Sequence, residues 1–528
     1  MQGRPNRDEP DMNDAARSGR RWILPAVLAF GFLVRASGLF WGIGLFSFDR
    51  DLYHPDESKI VRYVHNLPDS FHEQTDFRYP LGLHHALALA YFPLKALASF
   101  PGVEFWAPDS VKPFQWTFLV CRLFAIMLGT LSVYLVYRAV LLSTREKVPA
   151  YAAALFLSLL PYPVQNSAFV TTDVPLSLAS IAVVYAYMRI DARPRAGALA
   201  WGFLGVLAGA AVGIKYTGAY LLVALGVLFL WRYARERRPW PDWLRGIAAM
   251  ATGGILAFAI ATPQSVMSPQ FVLNGIAREL ERVDALSWSA GAYAQSFWQA
   301  LGIPGALVTL IAVAVLLRRP SPHAGVLALF VLCFLLLTVK GLQARYVITI
   351  APLLAVAVGL ACACAQGRAI RVAFAASLAA CSLLLVFCLY ARYAWDTRSE
   401  ATRLIQSRYP AGATVGMAVI GSERKRQNWR EPKLDKERYS QVRLQRSPDL
   451  IVATAPPHEL LLSTGSSEEL GKWYQRYGLE PPPADWEVLY RELASPDSEY
   501  RLVERFLPTR LPLEFAGYPL AIYERVAR

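Results

Sequence analysis

The stretch "DRDLYHPDESKIVRY", residues 49–63, sets two adjacent carboxylates, Asp56 and Glu57, beside His54 and Pro55. Such a pair can sit in a solvated loop, hold a metal ion, or supply a general base. Adjacent residues on a helix point about 100° apart, so the two do not face one substrate equally. One can act while the other orients it or opens the helix, because acidic residues suit a helix's first turn. "PDE" ahead of "SKIVRYVHNL" fits such a start. A cap on a wet loop is the plain alternative.

A third carboxylate, Asp173, stands at the end of an apolar run in "NSAFVTTDVPLSLASIAVVYAYM". A carboxylate at this depth is costly and tends to face a bundle interior. Thr171 and Thr172 could also make it part of a helix cap. Cations recur at the same level: Arg78 in "FRYPLG", Arg122, Lys215 in "GIKYTG", and Lys340 and Arg345 in "VKGLQARYVITIAPLL". Snorkelling is the alternative for each of them. Lys215 and Arg345 resist it best, because no acidic residue lies near them in sequence. Carboxylates and cations together suit attack by an acceptor hydroxyl on a sugar whose leaving group is a membrane-anchored phosphate. The hydroxyl needs a base and the departing phosphate needs cations.

Five of the seven histidines (His54, His65, His72, His84, His85) fall in one segment, without H-x-H, H-x-x-x-H or H-E-x-x-H spacing. A zinc site is therefore not expected. Asp49 and Asp51 with Asp56 form only a weak pattern for a hard cation. The expectation is no metal ligand set and no required cofactor, with a divalent cation left open.

The elements that hold these residues are set by hydropathy. The chain has 528 residues, 55% hydrophobic and 18% charged, and its apolar runs are long enough to cross about 30 Å of hydrocarbon. This is an α-helical polytopic membrane protein. The net charge of +14 comes largely from connectors such as "STREK", "WRYARERRPWPDWLR" and "LRRPSPH". Short Lys/Arg-rich connectors stay cytoplasmic, so the charge reads as topology, with anionic membrane lipid and not nucleic acid as its partner. The six cysteines lie inside apolar runs, so packing rather than a disulfide framework is expected.

About eleven spans place every basic connector on one side, near 22–43, 116–142, 149–164, 171–190, 197–213, 217–231, 246–263, 297–317, 324–340, 346–364 and 370–391. Residues 1–21 are then a disordered cytoplasmic tail and 22–391 the membrane module. Residues 44–115 and 264–296 form outside loops. In the first loop, "YPLGLHHALALAYFPLKALASF" suits a helix lying in the interface. In the second, "NGIARELERVDAL" suits a short amphipathic helix. Residues 392–528 change composition and read as a small α/β domain on the outside face. It opens with "DTRSEATRLIQSRYPAGATVGMAVI", which reads as an amphipathic helix, a turn and a strand; further strand candidates lie in "PDLIVATA", "YRLVERFLP" and "LAIYERVA", and "SSEELGKWYQRYG" is helical.

The ordered set "YHPDE", "RYPLG", "CRLFAIMLGTLSVYLVYR", "TTDVPLSLA", "GIKYTG" and "RYVITIAPLL" resembles the C-superfamily multi-spanning glycosyltransferases. In particular it resembles the protein-mannosyltransferase-like group, which includes aminoarabinose and lipopolysaccharide-core galacturonosyl transferases. The resemblance runs through residues 22–220 and more loosely to 391. It implies a polyprenyl-phosphate sugar donor, a lipid, glycan or protein acceptor of the cell envelope, and inverting transfer on the non-cytoplasmic face of a bacterial inner or plasma membrane. It makes Asp56 the catalytic base, Glu57 its neighbour and Asp173 a second acidic site residue. Arg78, Tyr79, Lys215 and Arg345 would contact the carrier phosphate. Some relatives carry a lysine just after the "RYP" motif, where this chain has Leu81, Gly82 and Leu83. The rival expectation is a transporter or flippase for lipid-linked sugars, which would show repeated halves and charges near the midplane. Arg35 is the main deep charge, and no repeated half is visible.

Overall fold

The computed structural model describes residues 22–41, 56–67, 80–98, 113–193, 196–237, 239–284, 290–338, 343–365, 367–394, 396–419, 434, 439–442, 447–454, 484–507 and 519–526. The tail, Asp49, Asp51, His54, His72, Arg78, Tyr79, Lys340 and the helix expected in "SSEELGKWYQRYG" lie outside them.

The membrane module is a bundle of α1 (Ile23–Ala36), α2 (Glu57–His65), α3 (Gly82–Ala98), α4 (Pro113–Thr144), α5 (Lys147–Leu159), α6 (Pro161–Asn166), α7 (Asp173–Asp191) and α8 (Ala198–Ile214). It continues with α9 (Ala219–Glu236), α10 (Trp240–Ala261), α11 (Gln264–Met267), α12 (Pro269–Asp284), α13 (Ala290–Arg318), α14 (Pro322–Leu337), α15 (Ala344–Cys364) and α16 (Arg368–Ala394). Among the described residues, seven helices are long and apolar enough to cross a membrane: Trp116–Thr144, Asp173–Asp191, Tyr216–Glu236, Trp240–Ala261, Tyr293–Arg318, Ala344–Cys364 and Ile370–Ala391. Ile23–Ala36, Lys147–Leu159, Ala198–Ile214 and Pro322–Leu337 are shorter apolar helices. Each expected span thus carries at least one described helix, but these four helices are shorter than a full crossing by length alone. All six cysteines are unpaired.

Two expected spans are broken. The one near 149–164 stops at Leu160, which is extended (φ −71°, ψ 115°), before α6 restarts at Pro161. Proline has no N–H for the Leu157 carbonyl four residues back, and Arg35 Nη2 donates to that carbonyl at 3.4 Å. Arg35 also donates to Gly31 O at 2.8 Å and Ser167 Oγ at 3.2 Å. The deep charge read from sequence is therefore a strut across the break. The other break is in α13, where Gly302 takes φ 68° two residues before Pro304.

Helices α8 and α10 approach backbone to backbone. A Cβ on Gly205 would lie 2.0 Å from Met250 O, and one on Gly209 would lie 2.1 Å from Gly254 O. Small residues four apart permit such packing, and this contact fixes the end of α8 from which Lys215 projects. Gly209→Leu is expected to cost about 1–3 kcal/mol through overpacking, seen as a lower unfolding midpoint of the purified protein.

The interface helix expected in the first loop is α3. It packs on α2 and on the ends of α4, α8 and α10, and it leaves Leu89 and Leu94 exposed. The amphipathic helix of the second loop is α12.

The C-terminal unit adds α17 (Thr397–Arg408), β1 (Thr414–Ala418), β2 (Ser440–Val442), β3 (Leu450–Ala453), α18 (Ala484–Ala494), β4 (Tyr500–Phe506) and β5 (Leu520–Arg525). The sheet order is β2-β1-β3-β5-β4. The first three strands are parallel, and β5 runs antiparallel to both β3 and β4. The α17, β1, β3, β4 and β5 segments were legible in sequence; α18 and the three-residue β2 were not. Asp396 caps α17 by accepting from the Arg398 and Ser399 backbone N–H groups. Arg398 in turn lies over the Trp41 ring at 5.6 Å, and Trp41 meets Phe169 at 5.4 Å. The domain thereby rests on the bundle end that carries α2 and the start of α7.

Candidate active site

Asp56 stands at the N-cap of α2, yet its side chain caps nothing. Its Oδ2 accepts from Arg345 Nη1 at 3.2 Å, a contact across 289 residues. Asp173 opens α7. Thr172, at the N-cap, makes no side-chain capping bond, and Asp173 Oδ1 instead accepts from Lys215 Nζ at 2.6 Å. The two cations that lacked acidic neighbours in sequence therefore gain them in space.

Tyr346 joins the pairs. Lys215 Nζ lies 4.4 Å from its ring centroid and Arg345 Cζ lies 5.5 Å from it. Cations over a tyrosine face are attracted by the ring quadrupole. The result is two carboxylates and two cations gathered about one aromatic ring at one end of the bundle. The Asp173–Lys215 pair is buried, whereas Arg345 and Asp56 keep 18% and 27% of their side-chain surface exposed. The second pair is the more exposed of the two.

Glu57 points elsewhere. It is fully buried and takes a bidentate contact from Arg122, Nε to Oε1 at 2.6 Å and Nη2 to Oε2 at 2.7 Å. The Val170 N–H donates to Oε1 at 3.2 Å, and Arg122 Nη1 donates to the Leu39 and Trp41 carbonyls at 2.8 Å each. This buried knot ties α2 to α4, to the end of α1 and to the segment leading into Asp173. Arg122 was read as one of the phosphate-level cations, and the structure engages it fully with Glu57 and backbone. Arg78 and Tyr79 lie outside the described residues. Tyr346 was missed, although its place beside Arg345 at a helix start was a usable signal.

The first-loop histidines split. His65 Nδ1 contacts Thr117 Oγ1 at 2.9 Å, and burial together with nearby Lys95 holds its pKa below the usual value. His84 is buried on α3, outside the spans, and burial pushes its pKa down to about 3. It is neutral when folded but protonated below pH 6.5 when unfolded. The unfolded state therefore binds more protons between those values, and stability falls as pH drops through 6.5. Between pH 7 and 5 this group alone is expected to cost about 2 kcal/mol. Melting curves should show a drop at pH 5 that His84→Leu reduces.

Residues 70–250 match the family model described as dolichyl-phosphate-mannose-protein mannosyltransferase. That match covers about a third of the chain and holds α3 through α9 and the start of α10, with Lys215 and Asp173 among its residues. No curated protein matches the chain by sequence. Among solved structures, ArnT from Cupriavidus metallidurans bound to undecaprenyl phosphate is 14% identical over 97% of this chain and 99% of that one, with a TM-score of 0.49. The archaeal oligosaccharyltransferase AglB from Archaeoglobus fulgidus, in complex with an inhibitory peptide and a dolichol-phosphate, is 13% identical over 76% and 62%, TM-score 0.49. The S. cerevisiae protein O-mannosyltransferase Pmt1–Pmt2 complex bound to the sugar donor is 18% identical over 46% and 33%, TM-score 0.36. The chain thus spans about a third of the yeast chain that it matches.

Proposed function

We propose that this protein transfers a sugar from a polyprenyl-phosphate carrier to a lipid, glycan or protein acceptor of the cell envelope, at the non-cytoplasmic membrane face and with inversion. The reading is carried by the gathering of Asp56–Arg345 and Asp173–Lys215 around Tyr346. The acceptor oxygen attacks the anomeric carbon from the side opposite the phosphate, and its proton passes to Asp56. The bond from the anomeric carbon to the phosphate oxygen breaks, and the electron pair leaves with the phosphate. Arg345 and Lys215 neutralise that charge, as preorganised donors do at sites of developing charge. An arriving phosphate competes with Asp56 Oδ2 for Arg345, so donor binding itself loosens the base's ion pair.

Asp173 holds Lys215 in place for the phosphate. Glu57, with both oxygens on Arg122, is a positioning residue that fixes α2 and hence Asp56. Arg78 and Tyr79 remain in the reading as further phosphate contacts, and the C-terminal domain, resting on the same bundle end, borders the acceptor side.

The test is transfer from radiolabelled polyprenyl-phosphate sugars to an envelope extract by purified protein, with and without a chelator. A labelled product of inverted anomeric configuration supports the reading. Movement of the labelled carrier across sealed vesicles without any product would replace it with the flippase.

A further inference from the structure

A second polar cluster lies beside the charged site. Tyr63 is seven residues after Asp56 on α2, so the two share a face about 10 Å apart. Tyr63 meets the His84 ring edge-on at 5.1 Å. His85 Nδ1 lies 2.8 Å from Ala261 O. A carbonyl only accepts, so His85 carries its proton on Nδ1 and its Nε2 accepts. Nε2 lies 3.4 Å from the Tyr63 hydroxyl, which therefore donates to it. The same hydroxyl then accepts from Gln264 Nε2 at 3.3 Å. That chain of donors fixes the Gln264 amide with its Oε1 turned away from Tyr63.

Among the described residues, Gln264 Oε1, Thr262 Oγ1 and His84 Nδ1 have no hydrogen-bond partner, although their residues are only 8%, 3% and 8% exposed. Buried polar atoms are normally satisfied, and each exception asks for an explanation. These three come from α3 and from the α10–α11 junction: Gln264 and His84 meet Tyr63, and Thr262 Oγ1 would lie 3.7 Å from a Cβ on Gly213. The cluster also adjoins the cation side of the site: a Cβ on Gly82, two residues before His84, would lie 2.5 Å from Gly213 O, two residues before Lys215.

We infer that Thr262, Gln264 and His84, backed by Tyr63, form a subsite for an uncharged, hydroxyl-bearing sugar ring. This rests on the transferase reading and adds a substrate class to it. A sugar ring offers hydroxyls that both donate and accept, which an amide oxygen, a threonine hydroxyl and an imidazole nitrogen can together use. None of the three is charged. Burial keeps His84 neutral, and burial also lowers the pKa of His85 against the raising effect of its Ala261 bond. A uronic acid or an amino sugar would find no opposite charge here, and desolvating its ionised group would cost affinity.

The ring can belong to the donor or to an acceptor glycan, and the experiment separates them. Purified full-length protein is titrated with methyl mannoside and methyl galacturonoside by ligand-observed NMR, and separately with bare and mannosyl polyprenyl phosphate. Wild type is expected to bind the mannoside and reject the galacturonoside. Thr262→Val and Gln264→Leu should each weaken mannoside binding roughly tenfold, while bare-carrier binding, which reports an intact fold, stays unchanged. If mannosyl carrier binds more tightly than bare carrier and the variants lose that gain, the ring is the donor's. If the variants keep the gain while losing the mannoside, it is the acceptor's. Equal mannoside binding by wild type and both variants, or no binding by wild type, overturns the subsite and leaves the transferase reading intact. Mannoside binding that the variants lose, with no carrier binding at all, keeps the subsite and removes the transferase reading.

Discussion

Asp56→Asn is expected to remove sugar transfer, lowering kcat by about 10²–10⁴, the usual contribution of a positioned general base, while carrier binding persists. Asparagine preserves the size of the side chain but cannot take the acceptor's proton. It also ends the ion pair with Arg345. That pair is partly exposed, and exposed pairs are worth about 0–1 kcal/mol, so its loss leaves the fold intact. Releasing Arg345 should tighten binding of polyprenyl phosphate by a few-fold at most. Single-turnover transfer and carrier binding, measured on the same preparation, check both parts. Transfer within a factor of three of wild type would remove Asp56 as the base.

Glu57→Gln is expected to act through stability first. It leaves the Arg122 guanidinium buried opposite a neutral amide, and breaking one side of a buried pair costs about 3–5 kcal/mol. The unfolding midpoint should fall sharply, and transfer with it. The double variant Glu57→Met with Arg122→Met distinguishes positioning from direct action, because replacing both buried charges with apolar side chains is often close to neutral. Recovery of the midpoint together with part of the transfer activity supports a positioning role. Recovery of the midpoint with transfer still absent would mean that the Glu57 carboxylate itself meets the substrate. Full recovery is not expected, since the Val170 N–H and the Leu39 and Trp41 carbonyls would lose their present partners.

Much of this molecule is written locally. Runs of apolar residues determine helices. Asp56 and Glu57 stand where α2 begins, and short apolar runs in "PDLIVATA" and "LAIYERVA" mark strands buried on both faces. Depth was legible too: Asp173, Lys215 and Arg345 stood out because a charge at the end of an apolar run needs a reason.

Only the tertiary structure decided what those charges meet. Asp56 and Arg345 are 289 residues apart, and no periodicity reaches that far, because hydrophobic pattern specifies a face and not a partner. The same limit explains Glu57. Beside Asp56 in sequence it looked like a second acid of the site, but the turn of about 100° per helical residue sends it to Arg122 in the core. The break before Pro161 interrupts a span that was expected to be continuous, and the supply of a guanidinium to the Leu157 carbonyl depended on where α1 packs. Tyr346, Thr262 and Gln264 carry no charge, so nothing in the sequence set them apart from the chain's other uncharged polar residues. Their neighbours are set only where α2, α3, α8, α10 and α15 come together.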